Sequence, residues 1–156
     1  MAFYSDLQQA KINERFIGQT VCDYNGGSGL AFSQGRNSDY DFSYLLKGTE
    51  FLYELKTDYL AAKTRNVYIE TGNGSRDTGL AVTKSNKVIY YVPQLGLAVS
   101  FPASKVLDYI GQTPGLRRVS NCGDGNSAGI LLPLANLTGA PLFAKTLQIQ
   151  ATPESV

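Results

Sequence analysis

The first regular pattern along the chain is helical. From residue 4 to residue 18, apolar residues recur about every third or fourth position, which predicts an amphipathic helix. Ser5 is the expected N-cap of this helix and Gly18 its expected end. The segment 23–38 that follows is dense in glycine, asparagine and serine, and we expect it to be a loop.

The middle of the chain has the composition of β-strands. Short segments rich in β-branched and aromatic residues alternate with turn formers. The expected strands are 40–46, 51–57, 66–71, 87–93, 97–101 and 126–134. A helical turn is expected at 79–83 and a short helix at 102–110. This order of elements predicts a mixed α/β protein, with one domain over 1–150 and a flexible polar tail at 151–156.

The amino-acid composition excludes several classes of catalytic and metal site, mainly because the chain lacks the residues that they need. The 156 residues contain no histidine, which excludes Ser-His-Asp and Cys-His catalysis, His-ligated zinc and any mechanism with a histidine base. Cys22 and Cys122 are too few for a Cys-only zinc site, and we expect two free thiols. The net charge of +1 argues against a protein that coats nucleic acid by bulk charge, but an enzyme with a local basic surface stays open.

Apolar runs and the first residues of the sequence bear on the expected location of the protein. It has no uninterrupted apolar run of membrane-spanning length, and its first residues lack the basic-then-apolar order of a signal peptide. We therefore expect a soluble cytoplasmic protein that has no membrane partner.

The most informative chemistry lies on the second predicted strand, in the triplet Glu54-Leu55-Lys56. Side chains alternate between the two faces of a strand, so Glu54 and Lys56 point to the same side. The turn-like segment 47–50 joins this strand to an earlier acidic one, and the resulting hairpin would bring Asp41 close to both. Mg²⁺ prefers carboxylate and carbonyl oxygens. Asp41, Glu54 and the backbone carbonyl of Leu55 are therefore candidate metal ligands, and a bound metal would activate water against a phosphodiester.

Lys56 is the candidate for orienting the attacking water and for offsetting negative charge in the transition state. Two opposing effects act on its pKa: removal from water would lower the pKa, whereas the neighbouring carboxylates would raise it. The sequence leaves both outcomes open.

Three further acidic residues are also candidates for this cluster. Asp39 shares a strand face with Asp41, and we prefer Asp41 because it leads directly into an apolar run. Glu70 lies at the end of the third predicted strand. It would either touch the cluster from the side or be a surface acid, and we favour the surface acid. Asp58 shares the face of Glu54 and would support the cluster indirectly.

The order of these residues resembles the PD-(D/E)XK nuclease superfamily. In that superfamily a restriction-endonuclease-like αβββαβ core with a mixed sheet carries an acid on one strand and Glu-x-Lys on the next. The resemblance implies Asp41 and Glu54 as metal ligands, Lys56 as the catalytic lysine, and Glu14 on the first helix as an additional acid of the metal site. No proline precedes Asp41, which departs from the motif. Size and spacing are similar to those of small Holliday junction resolvases and phage-encoded endonucleases.

The function expected from this resemblance is hydrolysis of DNA by a Mg²⁺-dependent endonuclease, with Mn²⁺ as an alternative metal. The expected substrate is DNA, with branched DNA as one option because the sequence leaves the substrate shape open, and a homodimer is expected because two active sites are needed to cut two strands. A non-catalytic nucleic-acid-binding or assembly module on the same fold is the main alternative. The third hypothesis is an unrelated protein-interaction domain in which Glu54 and Lys56 form a solvated surface pair.

Overall fold

Four α-helices, two short 3-10 helices (Gly79–Ala81 and Pro93–Leu95) and ten strands form the described part of the chain, residues 2–34, 40–122 and 127–149, in the computed structural model. The α-helices are α1 (Ala2–Asn25), α2 (Ala61–Thr64), α3 (Ala103–Gly111) and α4 (Leu134–Thr138). The strands are β1 (Ser28–Phe32), β2 (Phe42–Leu46), β3 (Thr49–Thr57), β4 (Asn66–Asn73), β5 (Arg76–Asp77), β6 (Lys87–Val92), β7 (Leu97–Phe101), β8 (Arg117–Cys122), β9 (Ser127–Pro133) and β10 (Lys145–Gln148). No helix in these three ranges is long and apolar enough to cross a membrane.

The larger sheet has six strands in the order β1-β2-β3-β6-β7-β10. Strands β1, β2 and β3 form an antiparallel meander, and β3 then pairs in parallel with β6. The tight turn between β2 and β3 uses Lys47 and Gly48, both with positive φ, which suits the right-handed twist of a hairpin. The predicted mixed α/β fold with a mixed sheet is therefore confirmed, as is the predicted hairpin.

The smaller sheet has four antiparallel strands in the order β5-β4-β9-β8. One face of it carries Val67, Ile69, Ile130 and Leu132, which are buried in a core that also includes residues of β6, β7 and α3. The opposite face of β4 carries side chains that are only partly buried. This opposite face lines a cleft that is described below.

The third predicted strand, 66–71, is present as β4, but it lies in the smaller sheet. The place beside β3 belongs to β6, whose residues from Val88 to Val92 are buried on both faces of the larger sheet. Such a continuous apolar run favours a central parallel position. The three-strand meander instead includes β1, within the segment 23–38 that was expected to be a loop.

Helix α1 packs on one face of the larger sheet, where Ile17, Val21, Phe42 and Tyr91 are buried together. The predicted end of this helix at Gly18 was wrong, because the helix continues to Asn25. A Cβ atom on Gly18 would lie 2.9 Å from the ring of Phe32, so the glycine allows close packing instead of ending the helix. The predicted N-cap at Ser5 was also wrong, since the helix already includes Ala2.

Candidate active site

Glu54 and Lys56 form an ion pair on β3. The Nζ atom of Lys56 lies 3.0 Å from Oε1 of Glu54, and the two side chains are 44% and 15% exposed. Alternation along the strand places both on the face opposite to Tyr53 and Leu55, which pack toward α1. A pair of opposite charges thus stands at the edge of the core, accessible from solvent.

Asp41 is held beside this pair by its backbone and by its carboxylate. Its N–H donates to the carbonyl of Tyr53 (2.8 Å) and its carbonyl accepts from the N–H of Ser33 (2.9 Å), so the residue is fixed between β1 and β3. Its Oδ2 atom accepts a hydrogen bond of 2.7 Å from the backbone N–H of Leu55. The hairpin therefore brings Asp41 next to the triplet that follows Tyr53.

The pKa of the Asp41 carboxyl group lies above its ordinary value, mainly because the group is buried. Burial raises its pKa most, and the charge of Glu54 raises it further. The N–H of Leu55 and the charges of Lys56 and Lys11 act in the opposite direction, yet the pKa stays above its ordinary value. A buried carboxylate in this state would be stabilised by an additional cation.

Glu14 faces the same place from helix α1. It is only 8% exposed, and its Oε2 atom lies 3.4 Å from Nζ of Lys11, one turn earlier. Burial and then the charge of Asp41 raise the pKa of Glu14, even though Lys11 and Arg15 lower it. The repulsion between Glu14 and Asp41 shows that the helix acid and the strand acid are electrostatic neighbours.

Two hollows meet at Lys56. The first, of about 300 Å³, lies between α1 and the hairpin and is lined by Glu14, Asp41, Leu55 and Lys56. We call it the acidic hollow. The second, of about 640 Å³, lies between β3 and the partly buried face of the smaller sheet, and we call it the large cleft. Glu54 lines the large cleft and not the acidic hollow, whereas Lys56 and Tyr59 line both.

The pKa of Lys56 lies above its ordinary value. Burial is the largest single effect and lowers it, but the carboxylates of Glu54, Asp41 and Glu70 together outweigh burial. Of the two outcomes left open by the sequence, the structure favours the protonated ammonium.

The donor set around the acidic hollow suits a hard divalent cation. Within residues 2–34, 40–122 and 127–149, no three Asp, Glu or Cys side chains are grouped so that they could hold a metal ion together. Mg²⁺ does not require three, because it commonly binds one or two carboxylates and keeps several waters. Asp41, Leu55 and Glu14 line the acidic hollow, whereas Glu54 lines the adjoining large cleft, so the binding of one metal ion by Asp41 and Glu54 together stays a prediction. The alternative ligand Asp39 lies outside the described residues.

Glu70 belongs to the large cleft, although the sequence favoured a surface acid at this position. Its Oε1 atom accepts a hydrogen bond from the hydroxyl of Ser127 (2.8 Å), and its Oε2 atom accepts one from the hydroxyl of Thr78 (3.1 Å). Ser127 also shares a hydrogen bond of 2.6 Å with Tyr68. The sequence signal for this position was the alternation of Tyr68 and Glu70 with the apolar residues of β4.

Asp58 has a structural position. Its Oδ1 atom accepts hydrogen bonds from the N–H groups of Leu60 (3.0 Å) and Ala61 (2.9 Å), and its Oδ2 atom accepts one from Tyr68 (3.1 Å). These bonds join the end of β3 to α2 and β4. Both oxygens of the Asp58 carboxylate thus accept hydrogen bonds from backbone N–H groups, that of Tyr68 included, and the carboxylate is not directed at the triplet.

Comparisons with known proteins give a similarity in fold. No protein-family model matches the chain, and no curated protein matches it in sequence. The fold is similar to the solved structure of a bacterial homing endonuclease, I-Ssp6803I, with a TM-score of 0.50 over 90% of this chain and 84% of that chain. Sequence identity over the match is 16%, so the match supports the shared fold and leaves the roles of individual residues to the geometry above.

Proposed function

We propose that this protein is a metal-dependent DNA endonuclease that hydrolyses phosphodiester bonds. The observation that carries the proposal is the hairpin site, where the Asp41 carboxylate is held on the Leu55 N–H beside the Glu54–Lys56 pair. The fold shared with a bacterial homing endonuclease supports DNA as the substrate. The order of Glu14, Asp41 and the triplet supports a catalytic mechanism of the PD-(D/E)XK type.

Asp41 and Glu54 would hold Mg²⁺, together with the carbonyl of Leu55, and Glu14 would add negative charge from α1. When bound, Mg²⁺ polarises the phosphate and lowers the pKa of a coordinated water. The raised pKa of Lys56 keeps its side chain a cation at neutral pH. As a cation, Lys56 would donate a hydrogen bond to the phosphate and offset the negative charge that develops on it.

The assignment is tested by separating metal binding from cleavage. Asp41→Ala and Glu54→Ala are expected to lose both Mg²⁺ binding, measured by calorimetry, and cleavage. Lys56→Ala is expected to retain Mg²⁺ binding and to lose cleavage, because it removes a cation and not a ligand. Lys63→Ala, an exposed lysine on α2, is the matched control and should behave as wild type.

Two results would contradict parts of the proposal. Cleavage that survives all three substitutions would show that the site lies elsewhere. Failure of the wild type to cut linear, branched and single-stranded DNA in Mg²⁺ or Mn²⁺ would favour the non-catalytic binding module. The same substrate panel tests the preference for branched DNA, and sedimentation of the free protein tests the homodimer; both stay predictions.

A further inference from the structure

The large cleft is larger than the cleavage chemistry requires. Its volume of about 640 Å³ falls in the range typical of small-molecule sites, which is about 300–1,000 Å³. Glu54 and Lys56 stand at one side of it, and Glu70 and Ser127 of the smaller sheet line another part. A phosphodiester bound at Lys56 would therefore have an adjoining part of its own nucleotide within reach of this cleft.

The walls of the large cleft are unsuited to a sugar-phosphate backbone. Among the described residues that line it, Lys56 is the one cation, whereas Glu54, Asp58 and Glu70 are acids. Proteins that follow the DNA backbone use several lysines and arginines. Beyond Lys56, this cleft would repel a second phosphate.

Much of the lining is apolar and aromatic. Leu80, Val119 and Leu131 contribute aliphatic surface, and Tyr59 and Tyr68 contribute rings. The Tyr59 hydroxyl accepts a hydrogen bond of 3.0 Å from Nδ2 of Asn13 on α1, which ties this half-exposed ring to the helix where the two hollows meet. Flat, neutral rings stack favourably on such surfaces.

Glu70 supplies a fixed hydrogen-bond acceptor in the large cleft. Hydroxyl donors from Ser127 and Thr78 hold one oxygen each, and a carboxylate oxygen retains capacity for a second donor. The backbone of Glu70 is also closely packed, because a Cβ atom on Gly79 would clash with the Glu70 carbonyl oxygen. The site therefore offers a positioned acceptor to a ligand that carries N–H groups.

We infer that the large cleft receives one unpaired nucleobase of the DNA substrate, next to the phosphate that is cleaved. A nucleobase combines a neutral aromatic face with N–H donors on its edge, which matches the apolar walls and Glu70. The inference rests on the proposed function and makes it more specific. A base that is already unpaired would enter the cleft without the cost of extrusion from a duplex, about a few kcal/mol. Glu70 would favour the amino-bearing bases.

The test is a binding measurement in Ca²⁺, a hard cation used in place of Mg²⁺, with a gel to confirm that the DNA stays intact. Three labelled duplexes of one sequence are compared by fluorescence anisotropy: fully paired, with one bulged guanine, and with the same bulge lacking its base. The bulged guanine should bind about tenfold more tightly than the paired duplex, as expected for one stacked base. The abasic bulge should lose this preference, because its backbone is unchanged and its base is gone.

Variants locate the preference in the large cleft. Leu131→Trp would fill the cleft from the partly buried face of β9, and Leu45→Trp on β2 is its matched control outside the cleft. Glu70→Gln retains size but replaces one acceptor by a donor, and Glu50→Gln removes the same charge from an exposed position on β3. The first variant of each pair should abolish the preference for the bulged guanine and the second should not, with thermal melts confirming that all four are folded.

Several results would overturn the inference: equal binding of the base-containing and abasic bulges, a preference unaffected by Leu131→Trp, or saturation of the cleft by free dGMP with no preference among the DNAs.

Failure of the proposed function would give a different set of results. If the wild type cleaves none of the DNAs in Mg²⁺ but keeps a bulge preference that Leu131→Trp removes, the base site stands and the nuclease does not. Equal cleavage and equal binding of paired and bulged DNA would retain the nuclease and reject the base site.

Discussion

Asp41 and Glu70 lie on two sides of Lys56 in contrasting surroundings. Asp41 lines the acidic hollow, where burial and the charge of Glu54 raise its pKa despite the hydrogen bond from Leu55. Glu70 lines the large cleft, where two hydroxyl groups hold its two oxygens. Both carboxylates contribute to the raised pKa of the same lysine.

The difference indicates which ligand each side suits. The acidic hollow suits a cation, because burial and then repulsion from Asp41 disfavour the charge of Glu14, and burial also disfavours the charge of Asp41. A carboxylate whose oxygens are already fixed by neutral donors is suited to a further N–H donor. Lys56 stands between these sites, so a phosphate bound there would have a metal on one side and a base on the other.

The largest expected effect comes from removing the residue that the two sides share. Lys56→Ala should lower the single-turnover cleavage rate by about 100- to 1,000-fold, the usual loss when one positioned group that stabilises transition-state charge is removed. Rapid-quench measurements at saturating Mg²⁺ isolate the chemical step. Lys63→Ala provides the reference, and equal rates for the two variants would remove Lys56 from the mechanism.

A second prediction distinguishes Asp58 from Asp41 and Glu70, the two carboxylates on either side of Lys56. Asp58→Ala leaves the N–H groups of Leu60, Ala61 and Tyr68 without their acceptor, and only part of that loss is recovered by water. We expect the free energy of unfolding to fall by about 2–3 kcal/mol, measured in urea. Asp108→Ala, at an exposed position on α3, should change it by less than about 0.5 kcal/mol. A loss no larger than that of the control would refute the structural role.

The arrangement around Lys56 was predictable from sequence where it depends on neighbouring strands. A tight turn and the alternation of side chains are enough to place Asp41 beside Glu54 and Lys56, since all three belong to one hairpin. The first helix and most of the strand segments likewise follow from local patterns, so the mixed fold was predictable. The strands that form the meander were not, because β1 lies in a glycine-rich segment that was expected to be a loop and β4 belongs to the smaller sheet.

The large cleft was not predictable, because it depends on pairing between distant segments. Glu70 meets Ser127 only because β4 pairs with β9, and these two residues are 57 positions apart. No local pattern specifies that β4 leaves the meander for a second sheet. The surroundings that turn a strand-end acid into a fixed acceptor are therefore visible only in three dimensions.

A third prediction tests the excess charge of the acidic hollow. Asp41→Asn retains an oxygen that can accept from the Leu55 N–H but removes the carboxylate charge. Without divalent metal at neutral pH, its melting temperature should therefore exceed that of wild type, by about 2–4 °C if the charge costs about 1 kcal/mol. The rise in melting temperature that Mg²⁺ gives the wild type should be absent from the variant. A lower melting temperature without metal would show that the charge is compensated.

The pH dependence of stability has a definite sign. Because the pKa of Asp41 is raised above its ordinary value of 3.8, the folded protein retains a proton that the unfolded chain has released. Stability of the metal-free wild type should therefore fall as pH rises from about 4 toward the raised value in the folded state, and Glu14 contributes in the same direction. Asp41→Asn should show a smaller fall, measured by urea unfolding across this range.

The smallest expected effect concerns Glu14, the helix acid of the acidic hollow. Glu14→Gln removes a charge that is disfavoured by burial and by repulsion with Asp41, and it also removes the contact with Lys11, a partly exposed ion pair worth about 0–1 kcal/mol. Because the pKa of Glu14 is raised overall, metal-free stability at neutral pH should rise slightly, by less than about 0.5 kcal/mol and by less than for Asp41→Asn. Calorimetry should show a modest loss of Mg²⁺ affinity, smaller than for Asp41→Asn. A loss as large as that of Asp41→Asn would make Glu14 a direct ligand, whereas unchanged affinity would exclude it from the metal site.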